Sequence, residues 1–396
     1  KIVMGKGSEL VPGRTLIILD EIQDCDDAYF ALKPLSFDDR VDVIATGSFL
    51  GVLLNTRKRR DMADEHRVSP MGYVEFLHMH PMDFEEFCWA TGMNPEIIVK
   101  VTESLNSHQP VDPFFHKLMQ DVFRRYLVVG GMPAAVKVYS ETRDYGLVRK
   151  QLDRILDVVR TDSARYSSKI DMMRVFACME SIPSQLANEK RSFQYVDVEK
   201  IKGAGKRVYG SSIDWLINSG LVLRCHNLLS VDPPLNANME DDTYKLYMCD
   251  TGLLMALSRY QDVQEIVMGD PFINNGILME NAIANALHRK GYPLYYHAKK
   301  NSTLEVDFVL RYEGRTCIME VKSGRKKHSK SLNTLLREPG RNRMGVKVCS
   351  GNHSVDENGA VHMPLYGPCL MKPPQMPDIP PVDIEGANMR FIEGPL

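Results

Sequence analysis

The sequence lacks several patterns that mark common classes of protein. No apolar run approaches the roughly 18–20 residues of a membrane-spanning helix, so no membrane partner is expected. The eight cysteines are scattered, without a C-x-x-C pair, which favours reduced thiols in a cytoplasmic protein over a zinc site or a disulfide framework. The chain also has no large excess of positive or negative charge, with 49 basic and 51 acidic residues. This balance excludes a protein that coats nucleic acid through its global charge.

The glycine-rich phosphate loop, G-x-x-x-x-G-K-[S/T], is absent as well. The segment Gly5-Lys6-Gly7-Ser8 has a different spacing and follows no predicted strand. Because the chain begins Lys1-Ile2-Val3, we expect any such loop to lie before residue 1. We therefore expect these residues alone to bind ATP weakly.

The first positive signal is an apolar segment that ends in two acidic residues. Residues 14–20 and 41–48 each predict a short buried strand, with a helix between them, as in a parallel β-α-β unit. Asp20 and Glu21 follow the first strand, and Ser48 ends the second. In phosphate-loop ATPases, an Asp here binds Mg²⁺ and a Glu orients the attacking water. We predict that Asp20 and Ser48 contact Mg²⁺-bound ATP and that Glu21 is catalytic.

A second set of chemically active residues lies near the C-terminus. Glu280 falls in a predicted helix, Asp307 in a predicted strand, and Glu320 and Lys322 in the next strand. This is the order of the PD-(D/E)-x-K nuclease site. Asp307 and Glu320 would bind Mg²⁺ or Mn²⁺, and Glu280 would complete the site through the metal or a water. Lys322 would position the nucleophile or stabilise developing charge.

The register of this predicted hairpin supports the same site. A two-residue turn at Glu313-Gly314 pairs Tyr312 with Arg315 and, further along, Asp307 with Glu320. Two carboxylates that face each other directly repel unless a cation lies between them. The alternative is an exposed hairpin face with an ordinary Lys–Glu pair, and cleavage activity does not follow from the fold.

Two basic stretches are candidates for contact with DNA. Arg325, Lys326 and Lys327 closely follow the second acidic set, where they would suit a phosphate backbone. Lys206 and Arg207 would lie near the start of the second helix, residues 211–219, of a predicted helix-turn-helix, where such folds contact a groove. Basic runs are also typical of solvated loops, and winged helices also serve as packing modules, so both alternatives stay open.

Taken in order, these motifs resemble a prokaryotic family of AAA-type ATPases with a C-terminal domain of unknown function, number 4143, that is restriction-endonuclease-like. The resemblance runs from about residue 14 to about residue 350. It implies an ATPase core, a winged-helix-like middle and a nuclease-like end, with a phosphate loop upstream. The matching pieces are Leu19-Asp20-Glu21, Thr46-Gly47-Ser48, Pro81 to Phe87, Gly130 to Pro133, Glu280-Asn281, Glu305 to Phe308 and Glu320 to Gly324.

We therefore predict an α/β protein in four parts. The C-terminal part of an AAA-type ATPase domain, with a parallel sheet, spans 1–90, and a helical and winged-helix-like domain spans 91–260. A PD-(D/E)-x-K nuclease-like α/β domain spans 261–365, and a Pro-rich, poorly ordered tail spans 366–396.

The predicted function is ATP binding and hydrolysis by the full-length protein, fused to a domain that binds or cleaves DNA with a divalent metal. The alternative is a non-catalytic, nucleotide-switched module that binds DNA or protein through a degenerate nuclease fold. A third hypothesis is an assembly role, in which the protein associates with itself.

Overall fold

The predicted α/β class is confirmed by a computed structural model, in which parallel and antiparallel strands alternate with helices. No helix among the residues described is long and apolar enough to cross a membrane. Ser48 and the basic run from Arg325 to Lys327 lie outside these residues. The structure describes residues 10–47, 70, 72–163, 169–188, 192–200, 205–258, 263–268, 276–299, 303–322, 329–338 and 342–374.

The N-terminal region forms the predicted parallel unit: β1 (Leu16–Leu19), α1 (Asp26–Leu35) and β2 (Asp42–Ala45). The predicted burial of its strands is wrong, because Ile18 is 63% exposed and Ile44 is 52% exposed. Within the described part of the chain this sheet has two strands. Its small core, around residues of α1 and the turn before it, covers only part of the strands.

Helices dominate the middle of the chain and enclose the largest apolar core. Three of them begin with a proline. Proline lacks a backbone N–H, and at the first position of a helix this costs no hydrogen bond within the helix. The helices after α1 are α2 (Phe84–Ala90), α3 (Pro95–Asn106), α4 (Pro113–Val129), α5 (Pro133–Thr142), α6 (Tyr145–Ser163), α7 (Lys169–Leu186), α8 (Lys206–Asn218), α9 (Thr251–Ser258), α10 (Val263–Met268), α11 (Gly276–Arg289), α12 (Lys330–Leu336) and α13 (Gly367–Leu370).

Two larger sheets complete the described fold. The four-stranded sheet has the order β4-β3-β5-β6, and the five-stranded sheet has the order β10-β11-β9-β8-β7. The strands are β3 (Val222–Leu228), β4 (Met239–Met248), β5 (Tyr295–Ala298), β6 (Glu305–Val306), β7 (Phe308–Tyr312), β8 (Arg315–Val321), β9 (Arg343–Cys349), β10 (Ser354–Val355) and β11 (Val361–Pro364).

The β7–β8 hairpin has the predicted register at its turn, where Tyr312 pairs with Arg315. The predicted pairing of Asp307 with Glu320 is wrong, because the ladder ends at Phe308 and the N–H of Asp307 bonds the carbonyl of Met319 at 3.1 Å. The reason is a change of partner. The two residues before Asp307 pair with β5 of the other sheet, so Asp307 lies where the chain passes from one sheet to the other.

The segment after Pro364 departs from the predicted poorly ordered tail. Residues 365–371 are buried. The hydroxyl of Tyr366 lies 2.8 Å from Nδ1 of His116, and the hydroxyl of Tyr292 donates to the carbonyl of Lys372 at 2.9 Å. This first part of the expected tail therefore belongs to the core, because burial of its aromatic and aliphatic side chains against other apolar surfaces is favourable.

Residues 81–86 join the N-terminal region to the rest of the molecule. The N–H of Met82 donates to the carbonyl of Gly131 at 2.7 Å. From the C-terminal end of α11, Arg289 bonds the carbonyl of Pro81 at 2.7 Å, and its guanidinium contacts Asp83 at 3.2 Å and Glu86 at 2.9 Å. Helices from distant parts of the sequence thus hold this one short segment.

Candidate functional site

The N-terminal acidic pair lies at the carboxyl end of β1, beside the end of β2. The carboxylate of Asp20 accepts a hydrogen bond from the hydroxyl of Thr46, and the carboxylate of Glu21 accepts one from the amide of Gln23. Glu21 has a left-handed backbone with φ of 51°, an unusual conformation for a residue other than Gly. The strand ends thus place several oxygen donors at one edge of the sheet, where ligands of parallel α/β sheets bind.

This edge is open to solvent, since Asp20, Glu21 and Thr46 are all exposed. Hard oxygen ligands of this kind suit Mg²⁺, which commonly takes one or two carboxylates and keeps several waters. The end of β2 also lines a cavity of about 1940 Å³. The structure therefore brings Asp20 and Glu21 together as predicted, whereas the predicted contact of Ser48 with nucleotide stays a prediction.

The C-terminal acidic residues meet around a lysine that the sequence did not single out. Lys245 of β4 is almost buried, and its Nζ lies 3.1 Å from a carboxylate oxygen of Glu305 and 3.6 Å from one of Glu280. The Nζ also lies 5.1 Å from the ring centre of Tyr296. The hydroxyl of Tyr247 donates to Glu280 at 3.2 Å. We call Lys245, Glu280, Glu305, Asp307, Glu320 and Lys322 the acid–lysine cluster.

Lys245 keeps its positive charge in this setting. Burial alone would lower the pKa of Lys245, because a low dielectric disfavours the charged form. Tyr247, Glu280 and Asp307 outweigh this effect and raise the pKa of Lys245 well above its ordinary value. The cluster therefore contains a permanent cation.

Asp307 lies at the junction of the two sheets, next to this cation. Its Oδ2 accepts the N–H of Val321 at 2.7 Å. Burial, together with the charge of Glu280, raises the pKa of Asp307 to about 8, although Lys245 and the Val321 bond oppose the rise. Near neutral pH the carboxyl of Asp307 thus holds a proton in much of the population.

Glu320 and Lys322 form a second ion pair at the end of β8. The Nζ of Lys322 contacts Oε1 of the buried Glu320. Burial acts to lower the pKa of Lys322, but Glu320 outweighs it, with help from Asp307 and Glu280, and the pKa is raised. The other oxygen of Glu320 is buried without a hydrogen-bond partner in the described structure. Glu320 and Lys322 therefore share one face, as their spacing predicts.

The donor set does not fit the expected divalent metal. A metal between Asp307 and Glu320 needs free carboxylates arranged around one point. Lysine ammonium groups instead contact three of the four carboxylates, and the carboxylate of Asp307 bonds a backbone N–H. Among the residues that the structure covers, no three His, Cys, Asp or Glu side chains are grouped so that they would hold a metal ion.

A small polar cavity of about 160 Å³ adjoins this cluster. Its walls include Lys245, Glu280 and Glu305 on one side and Gln185 and Ser192 on the other. The cavity gives small solutes a route to the carboxylates from the side of α7.

The candidate DNA-contacting residues at the start of α8 lie beside acidic side chains. Nζ of Lys206 forms an ion pair with Asp242 of β4, and both side chains are exposed. Arg207 is exposed as well. Before α8, the described residues show a 3-10 turn at Tyr195–Asp197 in place of most of the first predicted helix, so the winged helix and its DNA contact stay predictions.

Sequence reasoning missed Lys245 and Glu305. A signal for Lys245 was present, because it is the one charged residue in Tyr244-Lys245-Leu246-Tyr247-Met248. A charge within such an apolar strand is rarely buried unless it is paired. Glu305 lies two residues before Asp307, and its spacing alone places it near the same face of the strand.

Comparisons with known proteins agree with part of this description. Residues 3–88 match a family described as an AAA domain. Residues 120–264 match a domain of unknown function, DUF8612, and residues 275–366 match another, DUF4143. No curated protein matches the sequence.

One solved structure that matches part of this chain is the Walker-type ATPase PABY2304 of Pyrococcus abyssi. It is 15% identical, with a TM-score of 0.34, over 61% of this chain and 63% of that one. This chain thus spans less than two thirds of that protein. The family matches thus find an AAA domain in the N-terminal part of this chain and a DUF4143 domain in its C-terminal part.

Proposed function

We propose that the protein binds Mg²⁺-bound ATP at the ends of β1 and β2 and that its C-terminal domain binds nucleic acid without cutting it. The observation that carries the proposal is the contrast between two sets of carboxylates. Asp20 and Glu21 face solvent beside a hydroxyl, whereas Glu280 and Glu320 are engaged by lysines. The first set is available to a metal-bound nucleotide, and the second is already neutralised.

At the nucleotide site each side chain has a separate task. Mg²⁺-bound ATP supplies the phosphate bond that is broken and a cation that neutralises its charge. Asp20 would hold the Mg²⁺, and the hydroxyl of Thr46 orients the Asp20 carboxylate. Glu21, held by the amide of Gln23, accepts a proton from the attacking water.

ATP hydrolysis by the whole protein tests this part. Glu21→Gln removes the proton acceptor with little change of shape, so hydrolysis should fall by about 10²-fold or more while ATP binding is retained. Asp20→Asn should weaken binding only when Mg²⁺ is present. Equal hydrolysis by the Glu21→Gln variant would overturn the assignment.

Nucleic-acid binding is supported by the position of the basic run. Lys322 directly follows β8, is about one-third exposed, and is followed in the sequence by Arg325, Lys326 and Lys327. Phosphate contacts by such residues release counterions and make affinity fall with salt. Lys206 is a weaker candidate because Asp242 already pairs with it.

Binding to a duplex at several salt concentrations tests this second part. Replacement of Arg325, Lys326 and Lys327 by Ala should weaken binding at least tenfold and reduce the salt slope by about 2–3. The matched control, Lys206→Ala with Arg207→Ala, should change affinity less than twofold. A larger loss in the Lys206 and Arg207 variant would favour the α8 surface, and no retention by the wild type would refute nucleic-acid binding.

A metal-dependent nuclease is the second candidate, because one oxygen of Glu320 is buried without a hydrogen-bond partner. The assay uses linear, circular and branched DNA with Mg²⁺ or Mn²⁺. Cleavage that is lost in both Asp307→Ala and Lys322→Ala would establish this activity. The lysine-paired carboxylates lead us to expect no cleavage.

A further inference from the structure

Lys245 reaches the acid–lysine cluster from outside the part of the chain that supplies the acids. It lies on β4, within residues 120–264, whereas Glu280 and Glu305 lie within residues 275–366. Its ammonium group bridges the two carboxylates, at 3.6 Å and 3.1 Å. The packing of β4 against α11 thus determines whether the acids have a cation.

The same acids need a cation because they are close to one another. The carboxylates of Glu280 and Glu305 lie close together, because both contact the one ammonium of Lys245, and the charges of both raise the pKa of Asp307. Buried like charges are unstable unless they are neutralised or protonated. A lysine and a divalent metal are alternative answers to this requirement.

We propose that Lys245 is the resident cation of the cluster and that it excludes divalent metals from Glu280, Glu305 and Asp307. An ammonium group and a metal cannot share these oxygens, because Mg²⁺ requires ligands at about 2.0–2.1 Å in an octahedral shell and would meet a like charge a few ångströms away. The Tyr296 ring beside Lys245 favours the ammonium further, since aromatic faces attract cations.

The proposal predicts that, once the ammonium of Lys245 no longer separates them, the carboxylates of Glu280 and Glu305 close around a divalent metal. Lys245→Met keeps most of the apolar stem and removes the charge, which leaves Glu280 and Glu305 without their ammonium. The adjoining cavity, which both glutamates line, gives a metal ion access. Lys245→Arg keeps a cation and is the matched control.

The experiment titrates Mn²⁺ into the intact chain and follows the free ion by electron paramagnetic resonance. We expect Lys245→Met to bind one equivalent at least tenfold more tightly than the wild type does, with Lys245→Arg unchanged from wild type. Adding Asp307→Asn to Lys245→Met should remove that binding, which assigns the ion to this cluster. Circular dichroism establishes that each variant is folded, and Mn²⁺ should raise the melting temperature of Lys245→Met alone.

Two outcomes would overturn the proposal. One is a folded Lys245→Met variant that binds Mn²⁺ no more tightly than the wild type. The other is a wild-type chain that binds one equivalent of Mn²⁺ and loses it with Asp307→Asn, a result that does not depend on the folding of Lys245→Met. The inference deepens the proposed function of the C-terminal domain, yet its readout is metal binding, so failure of DNA retention leaves it intact.

Discussion

The two acidic sites of this protein hold similar side chains in opposite surroundings. Asp20 and Glu21 lie at the exposed end of a sheet that has two strands within the described residues, where water screens their charges and a neighbouring hydroxyl and amide suffice as partners. Asp307 lies where the chain crosses between two larger sheets, and the nearly buried Lys245 acts on its charge. An acid after a strand therefore has no fixed meaning, because its surroundings decide whether its charge is available to a ligand.

Removal of Lys245 should give the largest effect on this contrast. Without metal, Lys245→Met leaves two partly buried carboxylates without their cation, and the free energy of unfolding should fall by up to about 3 kcal/mol. Urea unfolding in the presence of a chelator measures this. Lys206→Ala breaks an exposed ion pair and should leave the unfolding curve unchanged. If the unfolding curves of Lys245→Met and Lys206→Ala were similar, water would reach the carboxylates of the acid–lysine cluster and screen their charges.

The pH dependence of stability should distinguish Asp307 from ordinary carboxylates. Because its pKa is raised from 3.8 to about 8, the folded state keeps a proton that the unfolded chain loses. The contribution of Asp307 to stability therefore falls between about pH 4 and pH 8, by up to about 1.4 kcal/mol per pH unit. In urea unfolding across this range, the free energy of unfolding of Asp307→Asn should increase relative to that of the wild type as pH rises.

Asp356 provides a control of opposite sign. Burial acts to raise its pKa, but the ammonium of Lys347 and backbone N–H groups prevail and lower it to about 2. The stability that Asp356 contributes is present above about pH 4 and is lost as pH falls toward 2. A parallel response of Asp356→Asn and Asp307→Asn to pH would contradict both assignments.

A change at the contact between Met82 and Gly131 should have a more moderate effect on the free energy of unfolding. A Cβ at Gly131 would lie 1.9 Å from the carbonyl oxygen of Met82, so Gly131→Ala must displace backbone. We expect a loss of about 1–3 kcal/mol, as for other overpacked sites, and faster proteolysis between residues 72 and 92. Gly220→Ala is unsuitable as a control because Gly220 has φ of +72°, whereas Gly205→Ala meets no neighbouring atom within 4 Å.

The smallest change in stability is expected at the exposed site. Asp20→Asn keeps the acceptor for the Thr46 hydroxyl and removes a charge that water screens. The free energy of unfolding should change by within about 0.5 kcal/mol, as is usual for surface substitutions. A loss as large as that of Lys245→Met would show that Asp20 is structural, and the contrast between the sites would disappear.

Local patterns in the sequence predict much of the fold. The β-α-β unit and the turn at Glu313-Gly314 are set by neighbours in the chain, and the structure has both of them. Periodicity and turn chemistry act over a few residues, so they are visible without knowledge of the tertiary structure. The presence of Asp20 and Glu21 at one strand end follows from the same local logic.

The remaining features depend on partners that lie far apart in the sequence. Nothing near Asp307 indicates that Glu305 and Val306 pair with β5, which is what shifts Asp307 out of the expected pairing. The role of Lys245 depends on β4 meeting α11, an arrangement set by packing. Ile18 is exposed although it lies in an apolar run, because such a run does not specify which elements cover a strand.

Helix α11 carries contacts at both of its ends, and this has a mechanical consequence. Glu280 lies near its start, and Arg289 at its end bonds the segment Pro81–Glu86. A straight helix keeps these two side chains at a fixed separation of roughly 14 Å. If that segment moves and Arg289 moves with it, the helix therefore moves as well, and Glu280 shifts relative to the ammonium of Lys245.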